Sequence, residues 1–478
     1  MCCRRAASSR LAARNWPTSS KPRATPTTST PRNGKDDMTV KPNTVRTPAE
    51  EALIARAAAA VDAAGPLKSL RATAADALAR NGLPHRRVEA YKYTDLKQVM
   101  RDVPPLAAPA DDATAKTALD AAPSWGEAAR CRIVMVDGHV VPSLGDAMPE
   151  GVSMMSLADA LAAGDAMTAR IGTLAKPADD AAVGLNTAFM QDGALLNIAG
   201  GAEVATAVEI VHIVSGAEPV ACYPRHLIVA EKGAKARIIE TFSGPANSTY
   251  QVDAACELIV GEGADIAYVK RQDEGEAALH LSSLAVEMAA DARFDYTAFA
   301  YGAAVSRAQV FLAFAGEGGE ANMRGVTLAH KRQHADTTLV VDHAVPGCNS
   351  TEVFKTVLND EAKGVFQGQI IVRPDAQHTD GRMMARALLL SEDCEAVSKP
   401  ELEIYADDVQ CAHGSTSGEV DEEALFYLMA RGIPRQLAEA MLVNAYLAEV
   451  IEAIGDEALA EPLKAQAERW LTEREAGR

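Results

Sequence analysis

The chemistry-bearing residues of this sequence concentrate in one short segment, Asp407-Asp408-Val409-Gln410-Cys411-Ala412-His413-Gly414. In an extended chain successive side chains alternate between faces, so Cys411 and His413, two apart, point to the same side. A thiolate and an imidazole together suit iron, zinc or copper, and iron–sulfur clusters use both ligand types. Two ligands fall short of the four that such a centre takes, so a site here needs other loops or a second chain. The competing reading is a buried cysteine beside a hydrogen-bonded histidine, and spacing alone favours it. Either way the pair belongs to a scaffold rather than to a self-sufficient active site.

Other candidates are weaker. His330 and His334 share a face only in a helix, and the AHKRQHADTTLVVDH context around them and His343 reads as turn and strand. Asp407 and Asp408 are adjacent, so in a strand they face opposite ways and cannot flank one bond; Asp336 and Asp342 could share a face. There is no Gly-x-Ser-x-Gly elbow and no phosphate-binding Walker A loop, so any ATP chemistry belongs to another subunit.

The elements that must carry these residues fall into three regions after an N-terminal extension at 1–37. From 38 to 125 the pattern is helical and alanine-rich: EEALIARAAAAVDAA repeats Leu53, Ile54, Ala57 and Val61 at helical spacing, Gly65-Pro66 ends it, and a second helix spans 67–80. A proline- and alanine-rich linker is expected over 103–124. The core, 126–408, is a series of short apolar or alternating runs, among them AVEIVHIV (207–214), HLIVA (226–230), ARIIE (236–240), DIAYVK (265–270), EVFKTVL (352–358) and GVFQGQIIV (364–372). After about residue 195 no helical pattern separates these runs, which argues against βαβ crossovers and for an all-β sandwich, barrel or solenoid. EKGAKARIIE, GEGADIAYVK and GEGGEANMRGV share a small-residue corner followed by a strand, as stacked β-coils require. From 409 to 478 the chain returns to helix. Asp421 is placed to cap it, Leu425, Leu428 and Met429 form its apolar stripe, Ala438, Met441, Leu442 and Ala445 continue the stripe, and a charged final helix over 457–474 is expected to face water.

The 478 residues carry a net charge of −18, which argues against a nucleic-acid partner, and no apolar run reaches membrane-spanning length. Eight cysteines without a CxxC pair suit reduced thiols in a cytoplasmic protein. The first 37 residues hold eight basic residues against Asp36 and Asp37, so the remainder carries about −24. Their composition is that of a disordered segment and superficially that of an organellar transit peptide. The prolines, which interrupt any amphipathic helix, favour instead a start codon placed too early, with Met38 the initiator.

The run KPELEIYADDVQCAHGSTSGEVDEEALFYLMARGI (399–433) resembles the most characteristic stretch of the SufB/SufD family, scaffold subunits of the SUF system for assembling iron–sulfur clusters. RVEAYKYTDL (87–96), LNTAFMQDGALLNIAGG (185–201), VDHAVPGCNSTEVFKTVLNDEAKGVFQGQIIV (341–372) and AQHTDG (376–381) extend the likeness over most of the chain after Met38. CAHGST and AYKYTDL are similar to the SufD branch rather than to SufB. The resemblance implies a mainly β fold, a right-handed parallel β-helix flanked by N- and C-terminal α-helical regions. It implies a non-catalytic scaffold in a SufBCD complex, with SufC, the ATPase, docked on the C-terminal helices at about 421–454 and SufB paired along the β-helix edge and the C-terminal region. It places the family's cluster-assembly histidine on His413 and its neighbouring cysteine on Cys411, one half of a transient iron–sulfur cluster site shared with SufB. Cys348 and Cys394 match no functional position and are read as structural. Flavin binding, the source of iron and homodimerisation without SufB stay open. The rival readings are a β-helix carbohydrate-active enzyme, which would need a groove of same-face carboxylates, and a purely structural partner in which Cys411 and His413 only pack.

Overall fold

A computed structural model describes residues 46–62 and 65–476; the 1–37 extension and its two readings lie outside the described residues. The first helix, Pro48–Asp62, begins in a reciprocal cap, in which the Thr47 hydroxyl accepts from the Glu50 N–H at 3.2 Å and Glu50 accepts from the Thr47 N–H at 2.7 Å. The same buried carboxylate accepts the Leu83 N–H and pairs with Lys97 at 2.9 Å, tying the helix to the segment after the second one, Lys68–Asn81. The expected linker is corrected in part. Asp112–Ala121 is a helix, capped by Asp111, whose side chain accepts from Thr114 N–H at 2.8 Å. The prolines at 104, 105, 109 and 123 flank it rather than interrupt it. A helix buried from Ala182 onward, Ala181–Phe189, packs between the first two helices and the β-core.

The core is a parallel β-solenoid. From Lys235 onward consecutive strands alternate between two sheets, and each pairs in parallel with the strands one coil before and one coil after it, the last strand of each sheet having only the one before. The earliest strands include antiparallel pairs, Arg130–Val136 with His139–Val140 and Val152–Ser156 with Ala194–Ile198. Successive residues alternate faces, so one set of side chains from each strand enters the lumen. One inward column runs Val260, Met288, Phe314, His343, Val372 and Ile404 from coil to coil. These columns form the largest hydrophobic cluster of the molecule. Identical registers at every step make the stacking cooperative, since a one-residue slip would turn an entire row outward.

The corners explain the sequence echo and its looseness. Left-handed residues recur at Gly233, Gly263, Asp291, Gly318, Gly347 and His378. Glycine is favoured there because positive φ costs an L-residue energy, yet Asp291 and His378 fill two of the corners and blur the repeat. At Gly316 the requirement is space: a Cβ would lie 2.0 Å from the Ala290 backbone nitrogen.

Three helices, Glu422–Ala430, Arg435–Glu452 and Glu457–Ala476, follow the last strand, and Asp421 caps the first as expected. The final helix does not simply face water. Leu459, Leu463, Ala467, Trp470 and Leu471 are buried in a cluster with Leu447 and Val450 of the preceding helix and with Val269, Phe299, Val326 and Val357 on the outside of the solenoid. The charges occupy the opposite face, and the stripe at spacings of four and three was hidden by their number. Each large side chain buried there contributes about 1.5–3 kcal/mol, so these helices are part of the core assembly. No described helix is long and apolar enough to cross a membrane.

Candidate functional site

Cys411 and His413 lie on the strand Gln410–Glu419, the last of its sheet, so the β-ladder continues beyond residue 408. Register fixes which way they face. Cys411 follows Ser350 and Gly381 in one inward column; His413 follows Tyr296, Met323, Glu352 and Met383 in the next. The two side chains therefore share the lumen face, as their spacing requires. Cys411 is half-buried against the lumen cluster, whereas His413 is exposed. Burial pushes the Cys411 thiol up, the Gly381 backbone opposes the rise, and the acidic side chains of Asp380 and Glu352 add to it to the extent that they are ionised.

Both sheets terminate at this end, at Glu395–Ile404 and Gln410–Glu419, and among the described strands each has a neighbour on one side only. The turn entering the last strand is held by the corner below it. His378 donates its N–H to the Asp408 carbonyl at 2.6 Å and its Nδ1 lies 3.0 Å from the Asp408 carboxylate, while Gln377 accepts the Asp408 N–H at 2.9 Å. The geometry thus offers a thiol and an imidazole side by side on an edge strand, at the mouth of an apolar lumen. A strand added by another chain would enclose them.

The remaining candidates separate. His330 lies near Glu276 and Trp470, His334 hydrogen-bonds Thr94, and His343 enters the lumen, so the three do not converge. Asp336 is closed in an ion pair with Arg307 and Asp342 in one with Arg373, at 2.8 Å, so they do not form an open carboxylate pair. Asp407 and Asp408 lie in the bend before the last strand. The Cys348 thiol faces the Gly316 and Pro346 carbonyls, and that of Cys394 the Leu358 and Ser391 carbonyls.

One cluster was not foreseen. His212, His226 and Glu240, all buried inside the lumen, bring three ligand-type atoms within 4.8 Å of one another. His212 Nε2 lies 3.3 Å from Glu240, which also accepts from Tyr268 Oη at 2.9 Å. Burial alone would raise the Glu240 carboxyl, but the His212 contact and the Lys270 charge carry it down to about 2. Burial lowers the His226 imidazole to about 3, so it is neutral. Its Nδ1 accepts the Ala194 N–H at 2.9 Å. The proton of that neutral ring therefore sits on Nε2, and this tautomer does not offer Nε2 as a metal ligand. The three residues sit at inward positions of separate runs, so only the coil register could have revealed them.

On the outer surface, Phe426, Tyr427, Met429, Leu437 and Met441 leave large apolar side chains exposed on the first two C-terminal helices.

Comparison with known proteins matches two family models to this architecture: the SufBD N-terminal region over residues 52–210, and the SufBD core domain of SUF-system FeS cluster assembly over 212–446. The chain is 31% identical to the iron–sulfur cluster assembly protein SufD of Escherichia coli K12 over 398 residues, 81% of this chain and 89% of the relative. It is 27% identical to an iron–sulfur cluster assembly SufBD family protein of Synechocystis over 405 residues, 81% of this chain and 87% of that one. A chloroplastic protein of Arabidopsis thaliana, ABCI7, is 28% identical over 233 residues, 48% of this chain and 49% of its own length. With the solenoid, the flanking helices and these matches in place, the chain belongs to the SufB/SufD family of iron–sulfur cluster assembly proteins, on the SufD side of it.

Proposed function

We propose that the chain is the SufD-type, non-catalytic scaffold subunit of a cytoplasmic SufBCD complex. In this reading Cys411 and His413 form one wall of a transient cluster-assembly site completed by SufB. The carrying observation is their shared face on an edge strand at the open end of the solenoid. Two ligands are too few for a cluster, and an unpaired strand edge recruits a partner strand that can bring more. The cluster is cargo, built and passed on. The exposed apolar residues of the C-terminal helices suit docking of the SufC ATPase, whose hydrolysis would drive changes at the shared interface. A carbohydrate-active reading has no observation in its favour, since Asp336 and Asp342 are each committed to an arginine.

Anaerobic affinity purification of the full chain tests the assembly. Co-elution of a SufB-like chain and a SufC-like ATPase is expected. Recovery of the chain with neither partner, from cells that express both, would overturn the proposal.

A further inference from the structure

The lumen immediately behind Cys411 and His413 is not uniformly apolar. Ser350 and Glu352 project into it from the strand Asn349–Leu358, in register with Cys411 and His413 across the intervening strand Asp380–Leu389. Two strand spacings place Glu352 roughly 10 Å from the last strand. Gly381 leaves no side chain between Ser350 and Cys411; a Cβ there would stand 3.6 Å from Ser350 Oγ.

Glu352 is fully buried and neither carboxyl oxygen has a hydrogen-bond partner. The neighbouring Ser350 hydroxyl is engaged with His343 Nε2 at 3.0 Å, and His343 Nδ1 is itself unpartnered. Among the described residues, the charged and titratable groups at this end of the lumen are His343, Cys348, Cys411 and His413, with Asp380 at the start of the intervening strand; burial raises the Cys348 thiol, which stays protonated. The rest of the wall is apolar: Met323, Leu339, Phe354, Phe366, Ile370 and Met383. Burial pushes the Glu352 carboxyl up to about 8, with the Ser350 hydroxyl opposing the rise, and lowers His343 to about 4. With the site empty, both are neutral near pH 7. A buried carboxyl with no partner is a standing cost unless something in the working cycle needs its charge.

We propose that Glu352 is the charge-compensating group of the Cys411–His413 site, giving up its proton to solvent when a divalent cation is bound on the last strand and regaining it on release. This role rests on the cluster-site reading above. The Cys411 S–H bond also breaks on binding, and both protons leave to solvent; no electrons move. The residual +1 of a cation bound to a thiolate, acting over roughly 10 Å at an effective dielectric near 20, brings the carboxyl down by roughly one pH unit. Glu352 is a positioning residue that acts through the field and does not touch the cation.

Cobalt(II), titrated into the full chain in complex with its SufB-like partner, provides the test. Binding is followed by the thiolate-to-cobalt absorption that Cys411→Ala removes, and released protons are counted with an indicator. At pH 7.5 the unmodified complex is expected to release about half a proton more per cobalt than Glu352→Gln, with Glu352→Asp restoring the excess and the difference vanishing near pH 6 and pH 9.5. Equal proton release with unchanged cobalt absorption overturns the role of Glu352. Absence of Cys411-dependent absorption in the unmodified complex overturns the cation site itself, and this role with it.

Discussion

Replacing Glu352 by Gln should make the isolated chain more stable, and by an amount that grows with pH. The carboxyl is 0% exposed, without a hydrogen-bond partner, and raised from 4.5 to about 8 in the folded state. Between those values the folded chain holds a proton that the unfolded chain has lost. Its contribution is therefore fully present below pH 4.5 and is lost as pH rises through 8. A displacement of that size corresponds to about 5 kcal/mol between the two limits, an upper figure because water entering the lumen would reduce it. Glutamine matches the neutral carboxyl in shape and does not titrate. Urea unfolding of both chains at pH 5 and pH 8 reads the difference directly: the variant's advantage should be a few kcal/mol larger at pH 8. A stability gap that stays constant over this range would refute the reasoning, because it would mean that Glu352 titrates in the folded chain as it does in the unfolded one.

Two further outcomes follow from other parts of the structure. Arg225 and Glu257 form a fully buried ion pair at 2.7 Å, and Glu257 also accepts the N–H groups of Gly172, Leu174 and Ala175. Glu257→Ala strands the guanidinium and frees that loop, so unfolding free energy should fall by about 3–5 kcal/mol; a loss below ~1 kcal/mol would show that the pair is not buried as described. Changing Phe426 and Leu437 together to Ser removes two exposed apolar side chains. Stability should move by no more than about 0.5 kcal/mol per site, while capture of the SufC-like ATPase is lost; retained capture would move the docking surface elsewhere.

Much of the architecture was legible because the lumen imposes a strict period of two on every coil. AVEIVHIV, ARIIE and DIAYVK coincide with the strands Ala207–Ile213, Lys235–Ser243 and Asp265–Asp273. The strands at the open end were harder to read. Glu395–Ile404 includes Pro400, and Gln410–Glu419 is mostly polar and exposed, because the last coil has no coil above it to bury its residues. The final helix misled for the opposite reason, its charges outnumbering a narrow but continuous buried stripe.

The candidate site was legible as a pair, since Cys411 and His413 are two apart on one strand. Glu352 was not, because its relation to them depends on which residues stack in register over about 60 residues of chain. The same limit hid His212, His226 and Glu240, whose runs read only as mainly apolar strands with one or two polar residues each.

The central claim is that the Cys411–His413 face takes part in building a cluster. Its most direct test is cluster yield in a complex reconstituted with His413→Ala, scored by visible absorption after checking that all subunits still co-elute. His413 is exposed and its removal leaves the solenoid core untouched, so an intact complex with yield reduced to background is the predicted result. Full cluster yield from an intact His413→Ala complex would contradict the account and leave the chain a structural partner alone.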